Sequence, residues 1–232
     1  MPSVEKPIVL LIPTQSERNL LEPYLHQRLI AEASCSTKVD DWRLELCGFG
    51  LVAAAACAAE AIARHRPRRV VLTGIAGSFV DTVPIGSACH FDRVTCHGIG
   101  VGDSLTDFHC SADALGWAHC EANDSRSSIG DTIKLACCDF SPDLKAGHLI
   151  SVTTASANEL EANRRRARFP DAAAEDMEGF AVALVCQLNN IPLQIVRGIS
   201  NRVGDRNLAT WKTEAALRSA TDLVLELMGR EL

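Results

Sequence analysis

Apolar and polar positions fall into blocks that read alternately as strands and helices. Ile8-Val9-Leu10-Leu11-Ile12 is a continuous apolar run of strand length, as expected of a strand buried on both faces. After a turn at Pro13-Thr14-Gln15-Ser16, Glu17 to Leu29 predicts a helix with Leu20, Leu21, Tyr24 and Leu25 on one side. Trp42 to Cys47 predicts a second strand, and Gly48-Phe49-Gly50 opens an Ala-rich helix, Ala53 to His65. Arg69 to Thr73 predicts a third strand, stopped by a glycine turn at Gly74-Ile75-Ala76-Gly77-Ser78-Phe79. Further strands are expected within Gly86 to Thr95, over Leu149 to Thr153 and over Leu193 to Arg197. The remaining helices are Leu160 to Arg168, Phe180 to Leu188 and Thr213 to Met228. Asp103 to Pro142 is polar and Cys-rich, with a helix expected near Ala112 to Ala122 and a loop after it. Interleaved strands and helices predict an α/β fold, a single domain over residues 1–232, with a mostly parallel (mixed) central sheet covered on both faces as a three-layer α/β/α arrangement.

Composition narrows the function classes. A net charge of −6 argues against binding nucleic acid through its phosphates. No apolar run approaches the roughly 20 residues that span a membrane, and the start, Met1 to Lys6, lacks a signal-peptide pattern. A cytoplasmic protein is expected. The ten cysteines include no Cys-x-x-Cys pair. Cys89, Cys96, Cys110 and Cys120 are interspersed with His90, His97, His109 and His119, but at irregular spacing, unlike the tight ligand pairs of zinc sites. Reduced thiols filling core space are expected, and no metal site.

Open α/β sheets bind ligands outside the carboxyl ends of their strands, and the chemistry-bearing residues fall there. Glu17 follows the first strand, and the glycine turn with Ala76 and Gly77 follows the third. Glu175-Asp176-Met177-Glu178 sits at the mouth of an apolar helix, and Ser200-Asn201 follows a late strand. Each has a plain reading. Acids stabilise a helix start, and a glycine turn need only connect a strand to a helix. That turn lacks the Lys-Ser/Thr of a P-loop and does not fit Gly-x-Gly-x-x-Gly. Asp205 alone reads as a loop carboxylate paired with Arg202 or Arg206.

Taken together, Asp176-Met177-Glu178 before a helix and Arg197-Gly198-Ile199-Ser200-Asn201 ending a strand resemble the nucleoside phosphorylase and nucleosidase superfamily. Within it, the run Arg197 to Asn207 with Trp211 is similar to the futalosine hydrolases, relatives of methylthioadenosine/S-adenosylhomocysteine nucleosidase. The resemblance extends over residues 7–228 and implies a nucleoside phosphorylase-like fold and a nucleosidase, with no metal or organic cofactor. It implies that Glu178 holds the ribose hydroxyls, Met177 packs on the sugar, Asp176 takes the place of the second acid, and Ala76, Gly77 and Ser200 lie beside ribose and base. Glu17, followed by Arg18-Asn19-Leu20-Leu21, matches the Glu-x-x-Leu-Leu whose Glu activates water. Asn201 stands where adenine-cleaving relatives carry Asp. Its amide offers a donor and an acceptor, the complement of a 6-oxopurine such as hypoxanthine.

The implied reaction is release of hypoxanthine from futalosine to give dehypoxanthine futalosine, a step of menaquinone biosynthesis. The proton reaches the base from Asp205, directly or through water, or the base leaves on hydrogen bonds alone. Base stacking is expected from Phe79 or Phe180, and Arg202, Arg206 and His109 are candidates for the 5′ substituent. One Arg and one Glu after the first strand, Glu17 and Arg18, suit water better than phosphate. Relatives are usually dimers or larger, which implies a homo-oligomer, and the implied partner is a small nucleoside, with no nucleic acid and no membrane. The alternatives are a methylthioadenosine/S-adenosylhomocysteine nucleosidase, a 6-oxopurine phosphorylase, or a non-catalytic nucleoside-binding or storage protein on the same fold.

Overall fold

The computed structural model describes residues 6–31, 42–102, 109–121, 128–135 and 145–228. Residues 1–5, Cys35, Asp103 and Cys137-Cys138 lie outside them. The elements run β1 (Ile8–Ile12), α1 (Gln15–Ala31), β2 (Trp42–Leu46), α2 (Gly50–His65), β3 (Arg69–Ser78), β4 (Ala88–His97), β5 (Gly100–Gly102), β6 (His109–Ser111), β7 (Thr132–Lys134), β8 (Lys145–Val152), α3 (Glu159–Arg168), β9 (Ala172–Asp176), α4 (Gly179–Leu188), β10 (Leu193–Arg202) and α5 (Thr213–Met228). The sheet is mixed. β1 pairs in parallel with β2 and β3, β10 with β3, β4 with β8 and β8 with β9, whereas β10–β4, β3–β9 and β4–β7 are antiparallel. Because β3 pairs with both β10 and β9, the strands β3-β10-β4-β8-β9 close into a ring.

Strand β1 shows how the sequence drives the layering. Its side chains alternate faces: Val9 and Leu11 join a core under α2 and α4, while Ile8, Leu10 and Ile12 join one under α1 and α5. All five are buried, and each side chain removed from water contributes about 1.5–3 kcal/mol. A third cluster, with Phe79, Ile150, Val152 and Ala172, packs against Ala162 of α3. Cys47, Cys89, Cys96 and Cys186 are buried in the core, and burial pushes the thiols of Cys47, Cys96 and Cys186 up to about 12. They act as small apolar residues. No helix among the described residues is long and apolar enough to cross a membrane.

Four expectations change. Gly74 to Ser78 is not a turn: β3 continues through Ser78, because β10 pairs with it as far as Arg202↔Ser78. Likewise β10 continues through Ser200 and Asn201, with a bulge between Ile199 and Asn201. Glu175 and Asp176 end β9 rather than start a helix, and only Glu178 stands at the N-cap of α4. An Ala-rich segment has weak strand propensity, but pairing with β8 and β3 overrides it. In place of a helix near Ala112 to Ala122 there is one 3-10 turn, Asp113–Leu115, followed by a bridge from Cys120 to Ile129.

Helix α5 lies hard against β10. A Cβ added at Gly198 would fall 2.2 Å from the backbone oxygen of Ala216, so helix and strand touch through bare backbone. Gly198→Ala is expected to cost about 1–3 kcal/mol by forcing α5 outward and to lower Tm by roughly 5 °C in thermal unfolding. An unchanged Tm would refute this packing.

Candidate active site

One edge of β3 passes from one partner to another. β1 covers Arg69 to Leu72 and β9 covers Gly77 and Ser78, so among the described residues no strand lies beside 73–76 on that edge. The gap is filled by Glu17 from the first turn of α1. Its Oε1 accepts from the Ile75 N–H at 2.9 Å, and its Oε2 accepts from the Thr14 N–H at 3.0 Å and the Thr14 hydroxyl at 2.6 Å. Only glycine fits next to it. A Cβ on Gly74 would lie 2.8 Å from Glu17 Oε1 and 2.6 Å from Arg197 Nη1, so those two atoms flank a single point.

Arg197, fully buried on β10, ties the acids together. Its Nε donates to Asp176 Oδ2 at 3.0 Å, and its Nη2 donates to the same oxygen and, at 3.1 Å, to Glu178 Oε2. Nη1 is buried without a hydrogen-bond partner among the described residues. Burial works against the guanidinium's charge, but Asp176, Glu178 and Glu17 more than offset this and hold it protonated. Glu178 also accepts from the Gly50 N–H at 3.1 Å. Burial pushes its carboxyl up to about 7; Arg197 pulls it down and Asp176 adds to the rise. Since that value lies above the ordinary 4.5, the stabilising form is the protonated one: its contribution is full below 4.5 and lost as pH rises through about 7. Ionised Glu178 is thus kept in place at a cost in stability.

Asp176 is committed elsewhere. Oδ1 accepts from the Ser151 hydroxyl, Oδ2 from the Gly179 N–H and Arg197, and the side chain is 0% exposed. Glu175 is similarly bound. It accepts from the Ser156 N–H and hydroxyl, each at 2.8 Å, and from Arg165 at 2.6 Å, anchoring the 153–158 segment. Asn201 follows the β10 bulge, a device that re-aims side chains. Its Nδ2 donates to the carbonyls of Arg202 (2.7 Å) and Asp205 (3.2 Å), and its Oδ1 accepts from the Ser200 hydroxyl at 2.7 Å. Two carbonyl acceptors fix which way the amide faces. The NH2 expected to meet a 6-oxo group is occupied, and Oδ1 retains one acceptor position.

These groups border a cavity of about 440 Å³, ample for a nucleoside. Glu17, Ala76, Gly77, Asp176, Met177, Glu178, Ser200 and Asn201 all line it. Asp205 does not. Its carboxylate accepts from the Asn207 N–H and the Thr210 hydroxyl at 2.9 Å each, closing the turn that follows, and it pairs with neither Arg202 nor Arg206. Phe79 and Phe180 are buried in the core instead of lining the cavity; the aromatic rings there are Phe49 and Trp211. Of the three cations considered for the 5′ end, Arg206 lines the cavity, Arg202 pairs with Asp81, and His109 borders a separate one. In the sequence Arg197 stands out only within the strand-end motif; its role as a buried counter-ion follows from Asp176 and Glu178, which other elements bring to it.

Arg197→Met would leave Asp176 and Glu178 buried without their cation. A loss of about 3–5 kcal/mol is expected at pH 8, shrinking toward pH 5 as the Glu178 carboxyl, already raised to about 7, takes up a proton. Urea unfolding at both pH values checks this, and equal stability of variant and parent at pH 8 would contradict it.

Residues 35–228 match the family model described as the phosphorylase superfamily. The chain is 29% identical over 193 residues to a futalosine hydrolase of Streptomyces coelicolor, covering 81% of this chain and 79% of that one. It is 28% identical over 195 residues to a 5′-methylthioadenosine/S-adenosylhomocysteine nucleosidase of Colwellia psychrerythraea, covering 79% and 76%. The solved structure of futalosine hydrolase of Helicobacter pylori shares the fold, with a TM-score of 0.70 at 16% identity over 96% of this chain and 97% of that one. The chain belongs to the phosphorylase superfamily.

Proposed function

We propose that this chain is a nucleoside hydrolase that cleaves the N-glycosidic bond, and that its substrate is futalosine, with hypoxanthine as the leaving base. The observation that carries hydrolysis is the charge of the cavity wall. Glu17, Glu175, Asp176 and Glu178 line it, and the one Lys or Arg among the described lining residues is Arg206. A phosphorylase must seat a dianion beside C1′, which calls for several cations; here the carboxylates would repel it, while water is neutral. Relatives of both specificities resemble the chain to a similar degree, so the base must be argued from Asn201.

The reaction breaks the C1′–N9 bond, leaving its electron pair on the base and positive charge shared between C1′ and the ring oxygen. Ionised Glu178 accepts from the 2′ and 3′ hydroxyls, and those bonds strengthen as the ring becomes cationic, favouring the transition state. Glu17, on the cavity wall, holds the water that attacks C1′ and takes its proton. Asp176 positions Arg197 rather than touching the sugar. The base leaves protonated at N7, taking its proton from water, since the Asp205 carboxylate is turned away from the cavity. Asn201 Oδ1 accepts from that N7–H, an interaction absent in the substrate. Reading of the 6-oxo edge by Nδ2 requires the amide to leave the carbonyls of Arg202 and Asp205. An Asp at this position would face the same two carbonyls, which favour its protonated form, the form that can donate to N7 of adenine.

Base release from futalosine, inosine and methylthioadenosine, with and without phosphate, tests the reading. Hypoxanthine from futalosine at a rate independent of phosphate is expected. Glu17→Gln should lower kcat by about 10²–10⁴ with KM little changed. Phosphate dependence would sink hydrolysis, and preferential adenine release would sink the assignment of futalosine.

A further inference from the structure

We infer that Arg206 recognises a negatively charged group at the far end of an apolar arm on the 5′ side of the substrate, and so sets specificity; this rests on the reading of the chain as a futalosine hydrolase. The cavity is polarised. Its acids are bound to inner partners: Glu17 to β3, Asp176 and Glu178 to Arg197, and Glu175 to Ser156 and Arg165. Arg206 is the opposite charge, exposed at the rim. Among the described residues it makes no ion pair, whereas its neighbour Arg202 is paired with Asp81. A cation in an acid-lined cavity that contacts none of the acids is available to a ligand.

The guanidinium is also held in place. Its central carbon lies 5.2 Å from the centroid of the Trp211 ring, a distance at which the ring face attracts a cation. Trp211 is fixed in turn by donating from Nε1 to the Asp205 carbonyl at 3.2 Å, the carbonyl that also accepts from Asn201. Hence the residue proposed to read the base and the residue proposed to read the far end hang on one peptide group. The rim beside Arg206 is apolar: Phe49 is 67% exposed and Leu208 69%, and both line the cavity. An arm crossing that rim should be apolar or aromatic, and a carboxylate at its tip would meet the planar guanidinium fork. The carboxyaryl arm of futalosine has this chemistry; the methylthio arm of methylthioadenosine has no anion to offer.

The test compares kcat/KM on futalosine and on its carboxylate methyl ester for the parent, R206A and R206K, with product base as the readout. The parent should prefer the acid. R206A should reduce the acid-to-ester ratio about threefold to fivefold, the size expected of an exposed charge pair, acting chiefly through KM. R206K should restore part of the ratio, and raising the salt should compress the parent's ratio toward that of R206A. If the parent cleaves futalosine and R206A keeps the parent's ratio, the role of Arg206 falls while the hydrolase reading stands. If the parent releases no base from futalosine but does from methylthioadenosine, the substrate reading falls and this inference with it.

Discussion

The site depends on one buried ion cluster, in which the guanidinium of Arg197 sits among Asp176, Glu178 and Glu17. Three carboxylates so close repel one another, and one cation, itself out of water, offsets that repulsion. Buried pairs of this kind contribute little net stability, because desolvation cancels most of the attraction. Their use here is geometric. Arg197 is on β10, Asp176 ends β9 and Glu178 stands at the N-cap position of α4, so the cluster fixes the meeting point of elements that the closed strand ring brings together.

That ring also leaves a gap that a side chain fills. Since β3 has β1 beside one half of an edge and β9 beside the other, a stretch of backbone between them needs partners from elsewhere. Glu17 supplies one to the Ile75 N–H, and in doing so its carboxylate is held at the cavity wall. Buried backbone donors are almost always satisfied. In this protein the group that satisfies one is also the proposed base, which links a requirement of folding to the position of a reactive side chain.

Much of this was legible in the sequence, and the exceptions have physical causes. The apolar run of β1, the periodic helices and the run from Asp176 to Glu178 announce themselves locally. Strand continuation through Gly74 to Ser78, and the Ala-rich β9, do not, because their strand character comes from partners distant in sequence. The carboxylates were found, but not which were free. Asp176 and Glu175 are spent on Arg197, Ser151, Ser156 and Arg165, pairings that only the packed elements reveal. The surroundings of Asp205 are likewise visible only in the folded chain: its carboxylate closes a turn with Asn207 and Thr210, and it is its peptide carbonyl that faces Asn201. Phe79 and Phe180 were offered as stacking rings on residue type alone, and both are needed in the core.

The central claim is that a buried Glu178 must be ionised to hold the sugar while its surroundings push its carboxyl up to about 7. The pH dependence of kcat/KM on futalosine tests it most directly, since that quantity reports ionisations of the free enzyme. The account predicts that kcat/KM falls on the acid side with a midpoint near pH 7, as Glu178 takes up its proton. A profile flat from pH 5 to 8 would contradict it.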